Sequence, residues 1–417
     1  SGHVRIYQYD ANKTTNVTDQ SSPDFGPVGW RRLGQDIDGE AAMNFSANCA
    51  LSDDGLIVAI GAYGNDGTTG VDSGHVRVYQ FNGSTWTQLG QDIDGEAAGD
   101  NSGISVSLSA DGTIVAIGAY YNDGTTVGNT SDNRGHVRIY QYDANKTTNV
   151  TSQSSPDFGP IGWRRLGQDI DGEATSDYSG QSVSLSADGL IVAIGAIYND
   201  GNGGDSGHVR IYQYDANKTT NVTLQSSPDY GPIGWRRWGQ DIDGDAAADW
   251  SGQSVSLSAD GQIVAIGASY NDGTTTNVND NRGHVRVFQY DATKTTNVTL
   301  QSSLDFGPVG WRRLGQDIDG EAANDQSGYS VSLSADGSIV AIGAIYNDGN
   351  GVDSGHVRIY QYDATKTTNV TLQSSPDYGP IGWRRWGQDI DGEAAGDNSG
   401  WSVSLSADGT TVAIGAI

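Results

Sequence analysis

The chain has 417 residues, of which 51 are acidic and 23 basic, a formal charge of −28 at pH 7. Such a surface repels nucleic acid and anionic membrane, so neither is expected as a partner, and no apolar run approaches the ~18 residues a membrane-crossing helix needs. The single cysteine, Cys49, excludes an internal disulfide framework and any cysteine-based zinc site.

The sequence repeats itself. Gly-His-Val-Arg occurs six times and carries every histidine of the chain, at His3, His75, His136, His208, His284 and His356, spaced by 72, 61, 72, 76 and 72 residues. Ser-x-Asp-Gly begins at Ser52, Ser109, Ser186, Ser258, Ser334 and Ser406, and Gly-Gln-Asp-Ile-Asp-Gly at Gly34, Gly90, Gly167, Gly239, Gly315 and Gly387. Such periodicity outweighs length as a guide to domain number. It points to a single domain over 1–417 built from six repeats of about 61–76 residues.

Within a repeat the elements read, in order, as four short strands. Ser105 to Ser109 alternates apolar with small polar residues and stops at Ala-Asp-Gly, a turn signal. Ile114 to Ala119 is a continuous run of β-branched and tiny residues, the composition of a strand buried on both faces. His136 to Tyr142 alternates Val and Ile with Arg and Tyr, and Trp163 to Ile170 carries two arginines that suit an edge strand. No window shows the 3.6-residue period of an amphipathic helix. Four strands repeated six times predict an all-β fold: a six-bladed β-propeller of four-stranded antiparallel blades. The sequence starts at a third strand (His3) and stops after a second (Ile417), so strands from both termini are expected to pair and close the ring. An open stack cut from a longer array is the alternative.

Ser179 to Ala196 followed by Gly207 to Tyr212 resembles the FG-GAP repeat of integrin-type propellers: a Gly-x-Ser-Val strand, an acidic turn, a Val-x-Gly-Ala strand and a Gly-x-Val-x-Val-Tyr strand. The resemblance covers all six repeats. The wider repeat, with Trp-Arg-Arg-Leu-Gly-Gln-Asp-Ile-Asp-Gly-Glu-Ala, is similar to repeat arrays in predicted extracellular proteins of algae and marine microbes. What the likeness implies is a propeller fold and an extracellular place rather than an activity. One departure matters. Integrin-type calcium loops carry Asp-x-Asp-x-Asp-Gly after the first strand, whereas here that turn is only Ala187-Asp188-Gly189, so calcium binding does not carry over to it.

A different loop has more oxygen ligands. Each repeat presents two carboxylates one residue apart, a Gly bend and a third carboxylate: Asp36, Asp38 and Glu40; Asp92, Asp94 and Glu96; Asp169, Asp171 and Glu173; Asp241, Asp243 and Asp245; Asp317, Asp319 and Glu321; Asp389, Asp391 and Glu393. These are candidate calcium ligands, completed by backbone carbonyls or water. Asn-Asp-Gly loops at Asn65, Asn122, Asn199, Asn271 and Asn347 are a second acidic set. Against metal stands the plain turn, because Asp, Asn and Gly bond neighbouring backbone N–H groups wherever a blade must reverse.

In five repeats a polar insert (Tyr9 to Trp30 in the first) separates the third and fourth strands, where the second repeat has only the tight hairpin Phe81 to Trp86. Length variation of this kind places the insert at the surface, away from the core. Most of the chain's Asn-x-Ser/Thr sequons lie there: Asn12, Asn16, Asn145, Asn149, Asn217, Asn221, Asn297 and Asn369, with Asn44, Asn82 and Asn129 elsewhere. N-linked glycans and a secreted or cell-surface location are therefore expected.

No catalytic centre is expected, and the chain is not read as an enzyme. One histidine per repeat reads as a packing or turn residue, and Cys49 takes the apolar Val position of a first strand, as a buried thiol would. Trp-Arg-Arg reads as an outer-strand stabiliser with guanidinium over indole. The residues that break the symmetry, Tyr178, Trp250, Gln326 and Trp401, fall in the loop entering the first strand. That rim is either a tuned binding surface or an exposed loop under drift. The expected role is an extracellular structural or adhesive glycoprotein, in its extreme form the repeating subunit of a surface filament. Its partners would be copies of itself or other extracellular glycoproteins and glycans. The alternative is a calcium-dependent carbohydrate- or protein-binding module.

Overall fold

Runs of alternating and continuous apolar residues become antiparallel strands wherever Ser-x-Asp-Gly and Asn-Asp-Gly reverse the chain. The structure, a computed structural model, describes residues 2–40, 46–124, 131–273, 279–303 and 305–417. Every regular element among them is a strand. In the repeat around His136, Ser105–Leu108 pairs with Ile114–Ala119, which pairs with His136–Tyr142, which pairs with Trp163–Arg165. The same order recurs in five complete sheets, whose second strands are Ile57–Ala62, Ile114–Ala119, Ile191–Ala196, Ile263–Ala268 and Ile339–Ala344.

The fourth element differs from the continuous strand read from Trp163 to Ile170. It breaks into Trp163–Arg165 and a two-residue strand, Ile170–Asp171, that returns to pair with the start of the third strand (His136↔Asp171, Val137↔Ile170). The break falls at Gly167, where φ is +73°. A Cβ there would sit 2.5 Å from the indole nitrogen of Trp235 in the next sheet, so only glycine fits. That same indole N–H donates to the Leu166 carbonyl at 2.8 Å. Trp86, Trp163, Trp311 and Trp383 make the equivalent bond to Leu33, Leu89, Trp238 and Leu314. Each tryptophan thus ties its sheet to the one before it.

Sheets stack face to face, and the second strand is buried on both faces, as its composition predicts. Its odd and even positions serve different interfaces. Ile114 and Ala116 pack with Val192, Ile194 and Trp235 of the following sheet, whereas Val115 and Ile117 pack with Ile57, Ala59 and Val76 of the preceding one. The small polar residues of the first strand also have a use. Ser107, Ser184, Ser256 and Ser332 each accept, at 3.0 Å, the backbone N–H of a leucine in the next first strand. The Ser-x-Asp-Gly turns form a ladder of backbone hydrogen bonds from Asp53 through Ala110, Ala187, Ala259 and Ala335 to Ala407, each step 2.8–2.9 Å. Within each turn the serine hydroxyl donates to the aspartate and accepts the N–H that opens the next strand, as Ser109 does with Asp111 and Ile114.

The two ends do not share a sheet in the observed pairing. His3–Val4 pairs only with Ile37–Asp38, Tyr7–Tyr9 with Trp30–Arg32, and Ser402–Leu405 with Val412–Gly415. With no neighbour on one side, Trp30 is 45% exposed and Ile390 39%, although their counterparts Trp163 and Ile170 are at 0% and 1%.

The inserts are more integral than a loop held away from the core. In each, a lysine is buried and its ammonium donates to backbone carbonyls, as Lys146 does to Thr148 and Gly159 at 2.7 and 2.6 Å. Phe306 of another insert reaches a core cluster. The arginine of the fourth strand stacks on these insert aromatics rather than on indole: Arg165 lies 4.5 Å from the Phe158 ring centre and Arg237 4.7 Å from that of Tyr230. A flat guanidinium needs a nearby ring face, and the tryptophan ring is already committed to the sheet interface.

Candidate functional site

The acidic loop begins where the short fifth strand ends the sheet, at the mouth of the cleft between neighbouring sheets. Its three carboxylates have different partners. The first aspartate turns back to the arginine four residues before it: Asp36 to Arg32 at 3.0 Å, Asp169 to Arg165 at 2.7 Å, Asp241 to Arg237 at 3.0 Å, Asp317 to Arg313 at 2.7 Å and Asp389 to Arg385 at 3.0 Å. The second (Asp38, Asp94, Asp171, Asp243, Asp319, Asp391) sits opposite the histidine in the strand pair. The third reaches into the next sheet, where Glu96 meets Arg138 at 3.5 Å and Asp245 meets Arg286 at 2.6 Å. Glu393, the last of these, is exposed.

A different set does assemble. The third acid of one loop, the histidine of the next sheet and the first aspartate of that sheet's own loop bring one ligand atom each to within 4.8 Å of one another. The five groups are Glu40, His75 and Asp92; Glu96, His136 and Asp169; Glu173, His208 and Asp241; Asp245, His284 and Asp317; Glu321, His356 and Asp389. The histidine was read as a packing residue, and it is indeed buried, but it joins two loops that are separate in sequence. The sixfold co-occurrence of Gly-His-Val-Arg with the acidic loop was the available signal. Burial, followed by the charge of Arg210, pushes His208 down to about 3, so it is neutral at pH 7. Burial and then the neighbouring Asp241 push Asp243 up to about 6.

The Asn-Asp-Gly loops are turns. The amide of Asn122 donates to Asp100 at 2.9 Å and its carbonyl accepts from the N–H of Gly124. Asn199, Asn271 and Asn347 repeat this with Asp177, Asp249 and Asp325.

At the loop entering the first strand, the symmetry-breaking residues come together. Tyr178 and Trp250 stand where other repeats have Asn101, Gln326 and Asn398, and all five have φ between +46° and +56°. Asparagine tolerates that conformation, whereas a bulky aromatic there carries a strain of order 1–3 kcal/mol. The strained rings join a continuous strip: Tyr121 to Tyr178 (5.1 Å between ring centres), Tyr178 to Tyr198 (4.8 Å), Tyr198 to Trp250 (5.2 Å) and Trp250 to Tyr270 (4.1 Å). Farther along, Trp401 packs on Tyr329 at 4.9 Å, while Gln326 is buried and takes no part in the rim.

The sequon asparagines Asn12, Asn16, Asn82, Asn145, Asn149, Asn217, Asn221, Asn297 and Asn369 are all exposed. Asn44 and Asn129 lie outside the described residues. Cys49, in the first strand of the first complete sheet, is exposed rather than buried.

Comparison with known proteins finds likeness in parts of the chain. The FG-GAP repeat matches residues 170–212 and 318–360, each running from the short fifth strand through the third strand of the next sheet. No curated protein matches the chain. Among solved structures, the hydrazine synthase of Kuenenia stuttgartiensis is similar at 11% identity over 91% of this chain and 97% of that one, with a TM-score of 0.40. The glycine of the Val-Ala-Ile-Gly-Ala strand has a structural reason here: a Cβ on Gly195 would overlap the carbonyl of Gly252 in the next sheet, and Gly61, Gly118, Gly267 and Gly343 face the same constraint. Two stretches of the chain are thus similar to the FG-GAP repeat, and the repeated antiparallel sheets are consistent with a β-propeller.

Proposed function

We propose that the chain is an extracellular adhesive glycoprotein whose contact surface is the aromatic rim from Tyr121 to Tyr270. The observation that carries this reading is strain kept without a folding need: at a backbone conformation that suits asparagine, Tyr178 and Trp250 are held at φ +56° in a half-exposed strip. Aromatic faces spaced at 4–5 Å suit the apolar faces of sugar rings, and a charge of −28 disfavours anionic chains, so the ligand is a neutral glycan. Exposure of nine sequon asparagines supports a secretory origin. In this reading the six repeats form one ring-like domain, its sixth blade made from the strand pairs at the two ends through a register like that of Ala344↔His356.

The test is a glycan array and calorimetry on wild type and on Tyr178→Asn/Trp250→Asn, which restores the asparagine found at Asn101 and Asn398. Binding of a neutral glycan by wild type, lost in the variant, is expected. No glycan bound, or equal binding by both, removes the adhesive reading.

A structural reading, the subunit of a surface filament, is favoured by a separate observation. Trp30, Trp386 and Ile390 are 45%, 41% and 39% exposed on sheet faces that interior sheets cover. Electron microscopy at high concentration should then show end-to-end strings, and isolated discs alone would remove this reading.

A further inference from the structure

The five acid–histidine–acid groups differ in the arginines that meet them. In four of them two carboxylates meet two arginines, one from the third strand and one from the fourth: Arg138 and Arg165, Arg210 and Arg237, Arg286 and Arg313, Arg358 and Arg385. In each of these, two arginines stand against two carboxylates. The group at Glu40, His75 and Asp92 has only Arg77, 3.4 Å from Glu40. Its fourth strand reads Trp86-Thr87-Gln88, and Gln88 stands where the others place arginine, donating to Asp92 at 2.5 Å. Here one arginine stands against two carboxylates.

His75 supplies an independent observation. It is 1% exposed, and its Nδ1 stands 3.8 Å from the Asp92 carboxylate, too far for a hydrogen bond; its Nε2, like those of His136, His208 and His284, has no hydrogen-bond partner. A buried imidazole facing two carboxylates without bonding them is a donor set short of its acceptor. Ligand atoms around one small divalent ion at about 2.0–2.2 Å lie roughly 3–3.6 Å apart. The observed spread of up to 4.8 Å closes with about an ångström of side-chain movement. Glu40 and Asp92 are both solvent-reachable, at 49% and 33% exposure, and line a cleft of about 1230 Å³, so water can complete the shell.

We propose that Glu40, His75 and Asp92 bind one divalent first-row transition ion, with Zn²⁺ as the reference case, between the first complete sheet and the strands that precede it. Imidazole among the ligands selects such an ion over Ca²⁺, which prefers oxygen alone. The sister groups do not bind it, because their second arginine already neutralises the aspartate and would be forced against the incoming cation. The ion would pin His75 to the preceding acidic loop and so hold two neighbouring units together.

The test is titration of the tag-free full chain with Zn²⁺ by calorimetry, and with Co²⁺ by visible absorption. One ion per chain is expected, with a ligand-field band and a rise in melting temperature on adding Zn²⁺. Gln88→Arg, which installs the arginine that the other sheets carry, should weaken binding at least tenfold while melting like metal-free wild type. Asp92→Asn should do the same if the arginine variant fails to fold. His136→Ala, in a sister group, should leave the stoichiometry at one. No Zn²⁺ uptake, uptake of several ions per chain, or unchanged affinity in both Gln88→Arg and Asp92→Asn would overturn the assignment.

Discussion

The closest approach between sheets is backbone against backbone, and it can be tested by adding one methyl group. Gly195 lies in Ile191–Ala196, where its neighbour across the interface is Gly252 of the following sheet. A Cβ on Gly195 would overlap the Gly252 carbonyl oxygen and stand 3.0 Å from the carbonyl carbon. Neither group is the free end of a side chain, so relief requires the two sheets to part by about 1 Å. A radial gap of that size forfeits a quarter to a half of the dispersion energy of the atoms that face it. The facing atoms include Val209, Ile211, Val264 and Phe288, all at 1% exposure or less. Gly195→Ala should therefore cost at least the ~3 kcal/mol at the upper end of overpacking in cores.

Gly204→Ala is the matched control. Gly204 has no atom within 4 Å of its added Cβ and no positive φ. That change should be neutral or stabilise by about 0.4–1 kcal/mol through the unfolded chain. Chemical denaturation gives the two differences. Hydrogen exchange locates the first, which should speed up in Ile191–Ala196 and Ser251–Leu257 and leave the sheet of Ile339–Ala344 unchanged, because stacked units contact only their neighbours. If the two variants differ by less than about 1 kcal/mol, the glycine is not there for close approach and the reasoning fails.

Other outcomes follow from the same contacts. Trp235→Phe keeps the ring but removes the 2.8 Å bond to the Leu166 carbonyl, leaving that part-buried acceptor unpaired; a loss of about 1 kcal/mol is expected by denaturant titration. His208 is held down to about 3 in the fold, against about 6.5 when unfolded, so the unfolded state binds more protons between these values. Its contribution is present above pH ~6.5 and is lost as pH falls toward ~3. A melting-temperature series from pH 7 to 4 should decline, and His208→Leu should flatten the decline. Asp243, pushed up to about 6, acts in the opposite sense, since the folded state holds its proton longer between pH ~4 and ~6. Asp243→Asn should therefore steepen the acid loss.

Strand positions could be read from the residues because they rest on local properties. A two-residue period, β-branched runs and Ser-x-Asp-Gly turns each act within a few positions, and Ile114–Ala119 and His136–Tyr142 appear where the pattern put them. The fourth strand could not be read fully, because what breaks it at Gly167 is Trp235 of another repeat. The same holds for the insert, whose aromatic rings were not identifiable as the seat for Arg165 and Arg237 until the chain had turned back on itself.

By itself the sequence determined that this protein is a repeat, all-β and acidic, since these follow from composition and short-range pattern, and its likeness to the FG-GAP repeat was visible in two of its stretches. Only the tertiary structure decided which carboxylates meet which histidine, that Gln88 leaves one of five groups with one arginine against two carboxylates, and that Tyr178 and Trp250 share one aromatic strip. The physical reason is distance along the chain. Glu40, His75 and Asp92 belong to three separate segments, and no local propensity sets their spacing; the stacking of one sheet on the next does.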